Sequence, residues 1–156
     1  MQPRLDYSEA APAAIKAMSA LDKAAVHCGL ESSLLDLIKT RASQINGCAY
    51  CVDMHTKDAR AAGETEQRLY ALSVWRETPF YSEREQAALA LTEAVTLIAD
   101  GQVPDKVYEA VQKQFNDEEL VNLILNIVTI NAWNRFCITF REVPGTYQPK
   151  LAVNAA

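Results

Sequence analysis

Between Leu120 and Ile130 the chain places apolar side chains at Leu120, Val121, Leu123, Ile124, Leu125, Ile127, Val128 and Ile130. On a helix these positions point in nearly every direction, and Asn122, Asn126 and Thr129 leave a narrow polar stripe. Such a helix needs cover on most sides, so the rest of the chain must be arranged around it. A domain of 156 residues has room for one central helix of this kind. Its cover can come from the chain's own core, from a second subunit, or from both. The three polar residues interrupt the apolar run well short of a bilayer's thickness, so no membrane span is expected.

The remaining periodicity is also helical. A first helix opens near Pro12, carries Ile15, Met18, Leu21 and Val26, and ends at Gly29. A second runs from about Ser32 to Ile45 with Leu34, Leu35, Ile38, Ala42 and Ile45 on one face. Asn46-Gly47 breaks it, and a third helix opens at Cys48 and stops at Gly63. A short fourth covers Glu66 to Trp75. Ser82 and Glu85 form a capping box that opens a fifth, ending near Gly101. The sixth spans Pro104 to Gln114. The last starts after Asn116, with Glu119 completing the cap, and reaches about Phe140. With 5 glycines and 6 prolines the chain is poor in turn residues. The expected fold is therefore all-α: one bundle of six or seven helices over residues 11–142, an arm at 1–10 and a non-helical tail at 143–156.

A formal net charge of −5 without a basic stripe argues against nucleic-acid and anionic-membrane partners. Residues Met1 to Ala10 lack the basic start and apolar run of an export signal. A cytoplasmic, reducing setting is the expectation. There, a close pair among the 4 cysteines points to catalysis or metal binding rather than to a structural staple.

That pair lies in Gln44-Ile45-Asn46-Gly47-Cys48-Ala49-Tyr50-Cys51-Val52-Asp53-Met54-His55. On a helix, Cys48 and Cys51 fall on one face with Cα atoms about 5–5.5 Å apart, a separation that a disulfide tolerates. His55 follows Cys51 by four residues and shares the face. Ala59 and Ala62 extend the stripe, so the pair points inward or into a cleft. Asn46 is placed to cap this helix, whose N-terminal dipole favours a thiolate.

Three other readings compete with redox chemistry. A staple across two intervening residues removes little loop entropy. A metal site would have to join Cys48 and His55 across about 10.5 Å of helical rise, with no fourth ligand in view. Two inert core cysteines would leave the histidine on the same face unexplained. No metal and no cofactor is expected.

The run from Ser43 to His55 resembles the signature of the alkylhydroperoxidase D-like branch of the carboxymuconolactone decarboxylase family. The stretch Asn131-Ala132-Trp133-Asn134-Arg135-Phe136 is similar to a later segment of that branch. The resemblance spans about residues 10–142 and implies an all-helical fold assembled as a homo-oligomer, a trimer or hexamer. It also implies a dithiol peroxidase acting on a hydroperoxide and regenerated by a dithiol reductant. By position, Cys51 would attack the peroxide, Cys48 would resolve it as a disulfide, and His55 would be the relay base. The relay carboxylate would be Asp36, one methylene shorter than the glutamate of the family pattern. Tyr50 stands where founding members carry a second histidine, and a phenol titrates near 10 rather than 6.5. A decarboxylase-like enzyme on the same fold, or a non-catalytic redox sensor or oligomeric binding module, is the alternative.

Helical spacing agrees that His55 serves Cys51, since Cys48 is a further turn away. A thiol near pKa 8.5 is about 3% thiolate at pH 7, and lowering its pKa by two units raises that fraction roughly 25-fold. Nucleophilicity then falls about 8-fold, for a net gain near threefold. Protonating the departing oxygen, typically worth about 10²–10⁴-fold, is the larger service a histidine can give. Elsewhere, Asp53 and Glu93 read as solvated charges, and Cys28 and Cys137 as core residues apart from the motif. Trp133 and Phe136 read as core, and Asn131 and Asn134 as buried hydrogen-bonding groups.

Overall fold

A computed structural model describes residues 2–149. Nine α-helices and one 3₁₀ segment form among those residues, with no strand. The seven expected helices are present as α2 (Pro12–Val26), α3 (Ser32–Asn46), α4 (Ala49–Ala61), α5 (Glu66–Ala71), α6 (Glu83–Thr96), α8 (Asp105–Gln112) and α9 (Asp117–Phe140). Two single turns, α1 (Tyr7–Ala10) and α7 (Ile98–Gly101), and a 3₁₀ stretch at Leu72–Glu77 complete the set. Ser82 and Asn116 make full capping boxes with Glu85 and Glu119, so both of these helices begin where the local chemistry dictates.

α9 is about 36 Å long at 1.5 Å per residue, and it packs against α2, α3, α6 and, more lightly, α4 and α8. It is the one described helix long and apolar enough to cross a membrane, yet Leu123, Ile127 and Ile130 are core residues of the bundle. The main core joins Leu34, Leu35 and Ile38 of α3 to Ala88 and Leu91 of α6 and to Leu123 and Ile127 of α9. Val111 of α8 and Phe115 close one end. On the other flank of α3, Leu37 meets Leu72, Trp75, Tyr81 and Leu89. Helix α3 is thus packed on both sides, which makes it a rigid platform for the residues it presents.

The ends of the chain are held against the bundle. Arg4 donates its backbone N–H to the Phe140 carbonyl at 2.8 Å, and Tyr7 packs its ring against Phe136 and Phe140. The expected arm is therefore a docked segment containing one helical turn. At the other end the Gly145 N–H donates to Asp53 Oδ2 at 2.9 Å and the Tyr147 hydroxyl to Asp58 Oδ1 at 2.6 Å. The tail is non-helical through residue 149, as its composition suggests; its expected continuation over 150–156 lies outside the described residues.

Candidate active site

The site is built at the junction of α3 and α4. Gly47 adopts φ +71°, a left-handed turn open to glycine at little cost. Its N–H returns to the Gln44 carbonyl and the Cys48 N–H to the Ser43 carbonyl, which ends α3. Cys48 is then extended and serves as the N-cap of α4, its Sγ accepting from the Cys51 N–H at 3.4 Å. The expectation that Asn46 caps this helix is corrected. Asn46 is the last residue of α3, and its side-chain amide donates instead to Asn131 Oδ1 and Asn134 Oδ1 at 2.9 and 2.8 Å. The left-handed turn carries the chain past Asn46 before α4 begins, and leaves its amide facing α9.

A polar ladder continues from there. Asn134, fully buried, donates to Ser43 Oγ, which donates to the Lys39 carbonyl. Asn131 donates to Thr96 Oγ1. The buried hydrogen-bonding role expected of Asn134 is present, Asn131 makes its bonds half-buried, and together they clamp α9 to the turn that carries Cys48.

Cys48 and Cys51 are joined as a disulfide with Cα atoms 5.4 Å apart, the separation their spacing predicts. Each is 1% exposed. A cleft of about 950 Å³ opens beside them. Asp36 and Lys39 of α3 line it, with Tyr50, Cys51, Met54, His55 and Asp58 of α4 and Ile130, Trp133 and Cys137 of α9. Tyr7 and Tyr147 reach in from the two docked ends. Cys51 is one of the residues lining the cleft, and Cys48 is not.

His55 is 7% exposed, and its Nε2 is buried without a hydrogen-bond partner among the described residues. Burial, reinforced by the nearby Lys39 ammonium, pushes its pKa down to about 3, so the ring is neutral at pH 7. Asp36 is half-buried, and burial raises its carboxyl to about 6. Lys39 pulls that value down while Asp58 and Glu64 push it up. The structure brings Cys51, His55 and Asp36 to one cleft, but no hydrogen bond joins Asp36 to His55. Lys39 itself is 8% exposed and makes no ion pair among the described residues. It lies three residues after Asp36 on the same helix, a spacing that could have marked it as a cleft residue.

Other expectations change. Glu93 is not a solvated charge: it accepts from Arg41 Nε and Trp75 Nε1, both at 2.9 Å, and from Arg76. Burial works to raise its pKa, but these three donors outweigh it and hold the carboxylate below its usual range. Asp53 is half-buried and ties Lys57 and the tail to α4. Trp133 packs against the buried cluster of Cys48, Cys51 and Ile130, as expected, and also lines the cleft. Cys137 is not isolated from the motif, because its Sγ and those of Cys48 and Cys51 all lie within 4.8 Å of one another. Asn134, three residues earlier on α9, docks against Asn46, and the same helix face carries Cys137 to the disulfide. Nothing in the local sequence marks this approach across 86 residues of chain. Among the described residues these three sulfurs are the group that could converge on a metal ion once reduced, and His55 is not part of it.

Residues 12–94 match the model of the carboxymuconolactone decarboxylase family. The chain belongs to that family. A relative from Bacillus subtilis (strain 168), the uncharacterized protein YdfG, is 47% identical over 138 residues, covering 88% of this chain and 94% of its own. The solved structure of ATU0492 from Agrobacterium tumefaciens, described as a protein of unknown function and a candidate antioxidant defence protein AhpD, has a TM-score of 0.91. It is 44% identical, over 94% of this chain and 100% of its own. The AhpD core of an uncharacterized peroxidase-related protein from Ralstonia eutropha JMP134 shares the fold, with a TM-score of 0.78 at 21% identity over 89% of this chain and 74% of that one. Within the carboxymuconolactone decarboxylase family the chain falls in the AhpD-like branch, and it carries a cysteine pair, Cys48 and Cys51, in the C-x-x-C spacing. The family match includes Asp36, Cys48, Cys51 and His55, whereas Cys137 lies beyond residue 94.

Proposed function

We propose that this protein is a dithiol peroxidase that reduces hydroperoxides through a Cys48–Cys51 cycle. One observation carries the reading: Cys51 lines a cleft beside a buried, neutral histidine with an unpartnered ring nitrogen, while its disulfide partner Cys48 does not line the cleft. In the reduced protein the Cys51 thiolate attacks the peroxide, the O–O bond breaks, and the alcohol leaves with a proton. Cys51 becomes a sulfenic acid. The Cys48 thiol condenses with it, releasing water and forming the disulfide. A dithiol reductant then restores both thiols and is itself oxidised.

The chain's residues have distinct roles in this cycle. His55 takes the Cys51 proton and returns it to the departing oxygen. Once Cys51 loses its proton, the thiolate favours a charged imidazole and opposes the burial that holds His55 neutral in the disulfide form. Asp36, half-protonated near pH 6, is a cleft group suited to exchange that proton with solvent. Apolar walls at Met54, Ile130 and Trp133 suit the organic part of an alkyl hydroperoxide. The likeness to the Agrobacterium structure, with its AhpD-type description, supports the same class.

Mixing reduced protein with cumene hydroperoxide tests the reading. Stoichiometric loss of two thiols, abolished in Cys51→Ser, is expected, followed by sustained turnover when dihydrolipoamide is supplied. Thiol loss without turnover would instead indicate a redox sensor. No thiol loss would overturn peroxidase and sensor alike and return attention to the decarboxylase-type chemistry of the wider family.

A further inference from the structure

We propose that Cys137 is a third redox thiol of this site, one that exchanges with the Cys48–Cys51 disulfide to give Cys51–Cys137 and free Cys48. The proposal builds on the thiol-disulfide reading above, but its first step needs no peroxide.

Geometry is the first support. Thiol-disulfide exchange needs an attacking sulfur close to a bonded pair, and here all three sulfurs lie within 4.8 Å of one another. From that range Cys137 has to close at most about 3 Å to reach the bonding distance to Cys51. Cys137 is in the last turn of α9 and belongs to the same buried cluster as Cys48, Cys51, Ala42 and Ile130.

Access is the second support. Cys51 and Cys137 both line the cleft, and Cys48 does not. Moving the bond from Cys48–Cys51 to Cys51–Cys137 brings both of its sulfurs to the cleft wall, where a dithiol reductant arrives. Cys48, which does not line the cleft, becomes the free thiol.

The chemistry of the leaving group is the third. Cys48 caps the N-terminus of α4 and accepts the Cys51 N–H, a position that stabilises a departing thiolate. Cys137 has the opposite character. Burial raises its thiol to about 11, against a smaller downward pull from hydrogen bonding with the Tyr7 phenol. It is therefore an intrinsically strong nucleophile that is seldom ionised at neutral pH, and exchange should quicken about tenfold per pH unit through the alkaline range. The step is balanced. Cys137 loses its proton to water in the cleft, its sulfur bonds to Cys51, the Cys48–Cys51 bond breaks, and the Cys48 thiolate takes up a proton. No net oxidation occurs. If Cys51 is instead a sulfenic acid, the Cys137 thiol condenses with it and releases water.

The experiment is disulfide mapping of intact protein after acid quench and peptic digestion. Reduced Cys48→Ser treated with diamide should form an intramolecular Cys51–Cys137 bond in near-stoichiometric yield, absent from Cys48→Ser/Cys137→Ser. Oxidised wild-type protein needs no substitution, and should show the same crosslink growing as pH rises from 7 to 9. A Cys48→Ser protein with native circular dichroism that leaves both thiols free would overturn the proposal. So would oxidised wild type without the crosslink across that pH range. Formation with diamide but not with hydroperoxide would uphold Cys137 as a redox thiol while overturning the peroxidase reading.

Discussion

His55 and Asp36 share a cleft, yet burial drives them in opposite directions along the pH scale. In the proposed cycle the two can pass a proton at pH 7 only once the Cys51 thiolate has raised the imidazole. Because thiolate population alone is worth about threefold, His55→Ala should lower the rate constant with peroxide by about 10²–10⁴-fold. Stopped-flow thiol oxidation, set beside the Cys51 pKa measured by alkylation, separates the two contributions. A loss no larger than the change in thiolate fraction would rule out proton delivery. The same burial makes stability depend on pH. The Asp36 pKa is raised on folding, so its contribution is fully present below about 3.8 and is lost as pH rises through 6. Asp36→Asn should therefore stabilise the protein above pH 6, by ~1–3 kcal/mol, and change little near pH 3.5. His55 is depressed on folding, so its contribution is full above about 6.5 and fades as pH falls toward 3. His55→Gln should flatten the acid limb of the stability curve, as urea unfolding at several pH values would show.

Helix α9 gives the site its depth. Its Asn134 receives the Asn46 amide and donates to Ser43, so a single buried side chain holds the turn that presents Cys48. Asn134→Ala leaves the Asn46 amide with Asn131 alone and removes a donor from Ser43, which should cost about 1–3 kcal/mol. It should also speed reduction of the Cys48–Cys51 bond, because the turn that holds Cys48 loosens. Denaturant melts and dithiothreitol reduction kinetics would check both. Ends of helices matter less. Asn116→Ala removes one half of a capping box and should cost about 1 kcal/mol with the redox kinetics unchanged.

For the whole molecule, the unresolved demand is cover for α9. Its core face is filled by α2, α3 and α6, but Val121 is 68% and Val128 47% exposed. They are seven residues apart and so lie on one outward stripe, the pattern that another helix covers in an oligomer. Self-association, implied by the family resemblance, should therefore weaken in Val121→Asp/Val128→Asp, with sedimentation velocity showing a shift to smaller species. Retention of the wild-type coefficient would place the subunit contacts elsewhere.

How far the sequence alone reached depends on the range of the forces involved. Helix starts at Ser82 and Asn116, the stop at Gly47 and the 5.4 Å separation of the two cysteines follow from bonds within a turn or two. Spacing of that kind is written directly in neighbouring residues. By contrast, the roles of Asn46, Glu93, Lys39 and Cys137 depend on which helices meet. Asn46 turned from cap to clamp because α9 supplied two acceptors, and Glu93 left solvent because Arg41, Trp75 and Arg76 converge on it. The motif Cys48, Cys51 and His55 was legible because one helical face carries most of it. The third sulfur beside it was not, because only the packing of α9 onto the α3–α4 turn closes the distance from residue 137 to residue 51.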